Sequence, residues 1–202
     1  MRKRVAVLIS GRGSNMMALV EAAKDPKYPA EIVLVLSNVP DAAGLDFARA
    51  NGIATEVVDH RTFGKDRAGF EQELQRMLLA HRIEIVCLAG FMRILTADFV
   101  GQWQGRMLNI HPALLPQFKG LHTHRRALEA KVKQHGATVH FVVPEMDSGP
   151  IVAQEAVEVR PDDTEQTLAA RVLDVEHRIY PLALKLLAEG RVFPGIFGRD
   201  RC

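Results

Sequence analysis

Cysteine is almost missing from this chain. Cys87 lies in an apolar run and Cys202 is the last residue, so neither a disulfide framework nor a zinc-type spacing is available. Charge of one sign is also lacking: the net charge is +2, and no basic run follows Arg2-Lys3-Arg4. That balance excludes the electrostatic footprint of a nucleic-acid or anionic-membrane binder. No apolar stretch approaches the length of a transmembrane helix. The opening has the outline of a signal peptide, but Val5-Ala6-Val7-Leu8-Ile9 is shorter than the roughly 7–15 residues of an apolar signal core, and no small-residue cleavage site follows. Repeats, low-complexity tracts and linkers are absent too. A reduced, cytoplasmic setting and a single domain over residues 1–202 are expected, its 48% apolar and 25% charged residues being those of an ordinary globule.

What is present is an alternation. Apolar strand-like runs at 5–9, 31–36, 54–58, 83–89 and 106–110 are separated by helical patterns that include 42–50, 66–80 and 97–103. A helix over 122–133, strands over 136–143 and 151–159, and a long helix over 165–188 ended by Gly190 complete the chain. The order predicts an α/β fold: a doubly wound, mainly parallel, Rossmann-like sheet with a long C-terminal helix. In such sheets ligands bind beyond the carboxyl ends of strands, near a topological switch point. Three loops fall at such ends, namely residues 11–15, 90–95 and 109–120.

Ser10-Gly11-Arg12-Gly13-Ser14-Asn15 links the first strand to a helix start. Free N–H groups and the helix dipole make that junction an anion site, and Ser14 and Asn15 add donors or cap the helix. It is not a dinucleotide fingerprint, because Met16 stands where the third glycine belongs, and the second strand ends in Ser37-Asn38 without an acid. Nor is it a Walker loop, since no Gly-Lys-Ser/Thr follows. A single phosphomonoester is the expected ligand, with a plain capped turn as the alternative.

Asn109 and His111, two apart at a strand end, project the same way, and Pro112 and Pro116 force an extended loop after them. An amide and an imidazole side by side can stabilise an oxyanion and carry a proton. Taken alone, the pair reads more readily as a strand end whose Asn caps a turn. Asp147, in Asp-Ser-Gly-Pro, is by itself a turn residue. His122, His124 and His140 accompany no metal-ligand pattern, so structural roles are expected and no metal.

Taken together, Ser10 through Asn15, Leu88-Ala89-Gly90-Phe91-Met92-Arg93-Ile94-Leu95, and Asn109-Ile110-His111-Pro112 running on to Leu121-His122-Thr123-His124 resemble the phosphoribosylglycinamide formyltransferase family, folate-dependent formyl transferases of purine synthesis. The likeness continues through residues 136–141, Met146-Asp147-Ser148-Gly149-Pro150 and Glu176-His177-Arg178-Ile179-Tyr180-Pro181. It implies transfer of a formyl group from 10-formyltetrahydrofolate, the co-substrate, to the amine of phosphoribosylglycinamide, and a monomer or homodimer. It also implies roles: Asn109, His111 and Asp147 catalytic; Gly13, Ser14, Asn15, Gly90, Pro112 and Glu176 on the substrate; Arg67, Met92, Arg93, Ile94 and Leu95 on the folate, with Asn109 and Asp147. The N-terminal part would bind the phosphorylated substrate and the C-terminal part would carry folate binding and catalysis. Arg12, Met16, Met146 and Ser148 depart from the family pattern, and residues 192–202 match nothing in it.

Formyl transfer to an amine passes through a tetrahedral oxyanion. Asn109 would be its neutral donor and His111 the proton carrier, with the Asp147 carboxylate favouring imidazolium. Direct transfer, without a formyl-enzyme, is expected. The residue-level alternatives stay open: Arg67 and Arg93 as surface charges, Met92, Ile94 and Leu95 as core packing, Glu176 as an exposed helical charge. Two other functions fit the fold, a formyltetrahydrofolate hydrolase and a non-catalytic nucleotide-binding module.

Overall fold

The computed structural model describes residues 1–194, so Cys202 lies outside the described residues. The first half alternates β1 (Lys3–Ile9), α1 (Ser14–Ala23), β2 (Ala30–Ser37), α2 (Gly44–Ala50), β3 (Ala54–Val57), α3 (Arg67–Ala80), β4 (Ile85–Leu88), α4 (Ala97–Gln102) and β5 (Met107–His111). Then come α5 (Thr123–Glu129), β6 (Gln134–Phe141), β7 (Ile151–Glu158) and α6 (Glu165–Ala188). The seven strands form one sheet in the order β3-β2-β1-β4-β5-β6-β7. Pairing is parallel from β3 to β5 and antiparallel for β5–β6 and β6–β7. The chain starts at β1, winds outward through β2 and β3, then resumes on the other side at β4. The switch point therefore lies between β1 and β4, where ligands of doubly wound sheets sit.

Strand periodicity sorts the side chains into two cores. Val5, Val7 and Ile9 face α1, α2 and α6, while Ala6 and Leu8 face α3 and α4. Cys87 points into the first core with no solvent exposure, and burial pushes its thiol up to about 12. Burying these strands on both faces explains their uninterrupted apolar runs. On β5, Leu108 and Ile110 take the α6 side, which leaves Asn109 and His111 on the opposite face.

Helix ends follow local chemistry, with two differences from expectation. The helix expected over 122–133 is only α5, because His122 and Lys131 adopt left-handed backbone (φ 58° and 51°) on either side of it. Gly13, not Ser14 or Asn15, caps α1 through its own left-handed conformation (φ 70°), with no side-chain cap. At α6 the expected start holds: Thr164 and Thr167 exchange side-chain-to-backbone hydrogen bonds of 3.0 and 3.2 Å, a reciprocal cap. The α6 residue Tyr180 is buried, and its hydroxyl reaches the carbonyls of Leu88 (2.9 Å) and Leu108 (3.2 Å), bracing the ends of β4 and β5.

Candidate active site

Antiparallel pairing sets His140 of β6 directly opposite Asn109 of β5. The His140 Nδ1–H donates to the Phe141 carbonyl at 2.8 Å, so Nε2 is left to accept from Asn109 Nδ2 at 3.2 Å. Burial pushes the His140 imidazole down, with the Phe141 bond and the Asp147 charge pulling it partly back, which keeps the ring neutral as this tautomer requires. Asn109 is thus oriented by one of its amide hydrogens. The second has no acceptor among the described residues.

His111 is buried at the end of β5, with Nε2 donating to the Phe118 carbonyl at 3.0 Å and Nδ1 lying 3.5 Å from Asp147 Oδ2. Both ring nitrogens face oxygen acceptors, the Phe118 carbonyl and the Asp147 carboxylate. The loop beyond it is pinned by Thr138, whose hydroxyl donates to Ala113 O at 2.6 Å, and by Thr123, whose hydroxyl donates to Pro112 O at 2.7 Å.

Asp147 comes from the connection between β6 and β7 and stands in left-handed backbone at φ 50°. The Gly120 N–H donates to its Oδ2 at 2.8 Å, and Lys119 donates to the neighbouring Ser148 hydroxyl at 2.6 Å. Its Oδ1 is 3.8 Å from His140 Nε2. The connection comes so close to β6 that a Cβ on Gly149 would lie 1.7 Å from the Phe141 carbonyl oxygen. Only glycine fits there. Asp147, far along the chain from the Asn109–His111 pair, therefore meets it in one cluster, and His140 joins them. Sequence reasoning left His140 among the structural histidines; the missing signal was the β5–β6 register, which no local pattern carries.

Beside this cluster, a cleft of about 270 Å³ lies over the switch point, lined by residues 10–15, Ala89, Gly90 and Met92. It contains Gly13, Ser14 and Asn15 at the start of α1, where backbone N–H groups face outward. Asn15 is buried, and its Nδ2 donates to Glu176 of α6, while its Oδ1 has no partner among the described residues. Glu176 is only 7% exposed, which overturns the default of an exposed helical charge. Burial pushes its carboxyl up, and the Asn15 hydrogen bond opposes this in part. Asn15 thus ties the lining of the cleft to α6.

Ser10 joins this cleft to the next loop, accepting from Met92 N at 2.8 Å and donating to Asn38 Oδ1 at 2.5 Å. Met92 and Ile94 are 67% and 69% exposed, so core packing does not account for them. Leu95 does pack inward, against the α3–α4 core. Arg93 lies over the Phe70 ring at 5.7 Å, and Arg67 donates to the Ile94 carbonyl at 2.6 Å. These two cations border the strip, each already engaged in holding it. His124 and His135 stack edge to face with Nδ1 and Nε2 3.2 Å apart, behind Phe118, and His122 occupies the cap of α5. Among the described residues no group of three or more His, Cys, Asp or Glu side chains is placed to hold a metal. No described helix is long and apolar enough to cross a membrane.

A formyl transferase family model matches residues 3–184. The chain is 46% identical over 188 residues to the phosphoribosylglycinamide formyltransferase of Escherichia coli (strain K12), covering 93% of this chain and 88% of that protein. It is 50% identical over 198 residues to the trifunctional purine biosynthetic protein adenosine-3 of Homo sapiens, covering 98% of this chain but 20% of that protein. It thus spans about a fifth of the length of such trifunctional relatives. The crystal structure of phosphoribosylglycinamide formyltransferase from Brucella melitensis superposes with a TM-score of 0.89 at 51% identity, over 96% of this chain and 100% of that one.

Proposed function

The chain belongs to the formyl transferase family, and on that premise we propose that it transfers the formyl group of 10-formyltetrahydrofolate to the primary amine of 5'-phosphoribosylglycinamide, the formylation step of purine biosynthesis. The observation that carries this reading is the cluster in which the His111 ring lies 3.5 Å from Asp147 and Asn109 is bonded to His140, next to a glycine-rich helix start. The N–H groups around Gly13 and Ser14 would take the substrate phosphate, with Gly90 and Pro112 along the ribose side. Glu176 and Asn15 would hold the glycinamide end, leaving its amine facing the formyl carbon. The exposed side chains of Met92 and Ile94 offer an apolar wall for the pterin of the folate, and Arg67 and Arg93 lie where its glutamate carboxylates would pass.

The chemistry follows from what these groups can do. As the amine nitrogen bonds to the formyl carbon, the carbonyl oxygen becomes an oxyanion that accepts from the Asn109 N–H not used by His140 and, once it takes the place of the Phe118 carbonyl, from His111 Nε2–H. Asp147 stabilises the charged imidazole during this step. The charged His111 gives its proton to the folate nitrogen N10 and then takes up the proton lost by the amine. The bond between formyl carbon and N10 then breaks, giving formylglycinamide ribonucleotide and tetrahydrofolate. No side chain needs to be formylated on the way, so transfer is direct. A hydrolase using water in place of the amine would have no use for the helix-start cleft.

The test follows folate absorbance after mixing protein with 10-formyltetrahydrofolate, with and without the ribonucleotide. Amine-dependent loss of formyl-folate supports the transferase; loss without the amine means a hydrolase, and no change means a binding module. A formyl-enzyme formed with the folate alone would overturn direct transfer.

A further inference from the structure

Helix α3 carries a buried carboxylate with no ion-pair partner among the described residues. Glu71 is 7% exposed, and both hydrogen bonds to its carboxylate come from one residue: Thr96 N donates at 2.7 Å, and the Thr96 hydroxyl donates to the other oxygen. Burying a charge is costly unless its partners are well aligned, and charge-assisted bonds to a backbone N–H and a hydroxyl are among the stronger ones. Thr96 immediately follows the strip at residues 92–95 and also caps α4, its hydroxyl accepting from Phe99 N at 3.3 Å. One turn earlier on the same helix face, Arg67 holds the Ile94 carbonyl. The two anchors bracket Leu95, which is buried, while Met92 and Ile94 stay turned outward. The helix beneath is fixed by Phe70, Leu74 and Leu78 in the second core and by the Asp66 cap.

We propose that Glu71 is a positioning residue for folate binding: its carboxylate locks Thr96 and thereby holds the strip at residues 92–95 in its binding conformation before the folate arrives. This rests on the reading above that the strip faces the folate. Without the lock, the strip's ordering would be paid on binding, and the loss would fall chiefly on the folate, because the strip touches the cleft through the Ser10–Met92 bond whereas residues 11–15 are held by β1 and α1.

The experiment measures the equilibrium affinity for a non-reacting deaza analogue of 10-formyltetrahydrofolate, with KM for each substrate, in Glu71→Ala, Thr96→Val and Thr96→Ser. Glu71→Ala is expected to weaken analogue binding and raise the folate KM about tenfold, with the ribonucleotide KM within about twofold. Thr96→Ser keeps both bonds and should bind the analogue like the parent, whereas Thr96→Val keeps only the N–H and should fall in between. Analogue affinity unchanged in Glu71→Ala, both KM values rising together, or Thr96→Ser as impaired as Thr96→Val would each overturn the proposal. If the parent binds the analogue but transfers no formyl, the transferase reading fails alone; if it binds no analogue, both fail.

Discussion

Asn109 has two amide hydrogens and His140 accepts one of them, so the other is available to an oxygen on the substrate. Its replacement by alanine should lower kcat by ~10²–10³ with both KM values little changed, since an oxyanion donor acts in the transition state. Steady-state kinetics decides: a KM effect of the same size would make Asn109 a binding residue. His111→Ala should likewise depress turnover far more than substrate affinity. Glu176 behaves differently, because burial raises its carboxyl. The charged form that would accept from the substrate amine is lost as pH falls through that raised value, so the ribonucleotide KM should climb at acid pH. In Glu176→Gln the KM should be high throughout and this pH dependence should vanish.

The connection between β6 and β7 shows what an element contributes beyond its residues. Gly149 sits against the Phe141 carbonyl with no room for a Cβ, so Gly149→Ala must push the connection off β6 and take Asp147 with it. The expected result is loss of activity together with a destabilisation of roughly 2–4 kcal/mol, read from urea unfolding. An active, equally stable variant would show that the carboxylate is not held by this contact. The strands and the long α6 were legible because burial on two faces writes itself as apolar runs, and because turn chemistry marks ends such as Thr164. The docking of this connection was not legible. Asp-Ser-Gly-Pro is turn chemistry in any protein, and only contacts made across the fold, from Gly120 N and Lys119, turn Asp147 toward His111. His140 and Glu71 escaped for the same reason: their partners are set by strand register and by helix-on-loop packing, which have no local period.

At the scale of the whole molecule, stability should depend on pH through histidine. His135 has no solvent exposure, and burial, with the neighbouring His124 and His111, pushes it from 6.5 down to about 4. Over that window the unfolded chain binds a proton that the folded chain refuses, so stability falls as pH drops from about 6.5 toward 4. The slope from this one residue approaches ~1.4 kcal/mol per pH unit, and urea midpoints taken across the window would reveal it. A flat profile would mean that His135 is protonated inside the fold. Cys87 offers a second global readout, since its thiol is sealed at the centre of the sheet. Once Cys202 is replaced by serine, a thiol-specific reagent has a single thiol to attack, and it can reach that thiol only when the sheet itself comes apart. The labelling rate would then serve as a clock for whole-chain opening, and tight-binding ligands should slow it in proportion to how strongly they hold the native state.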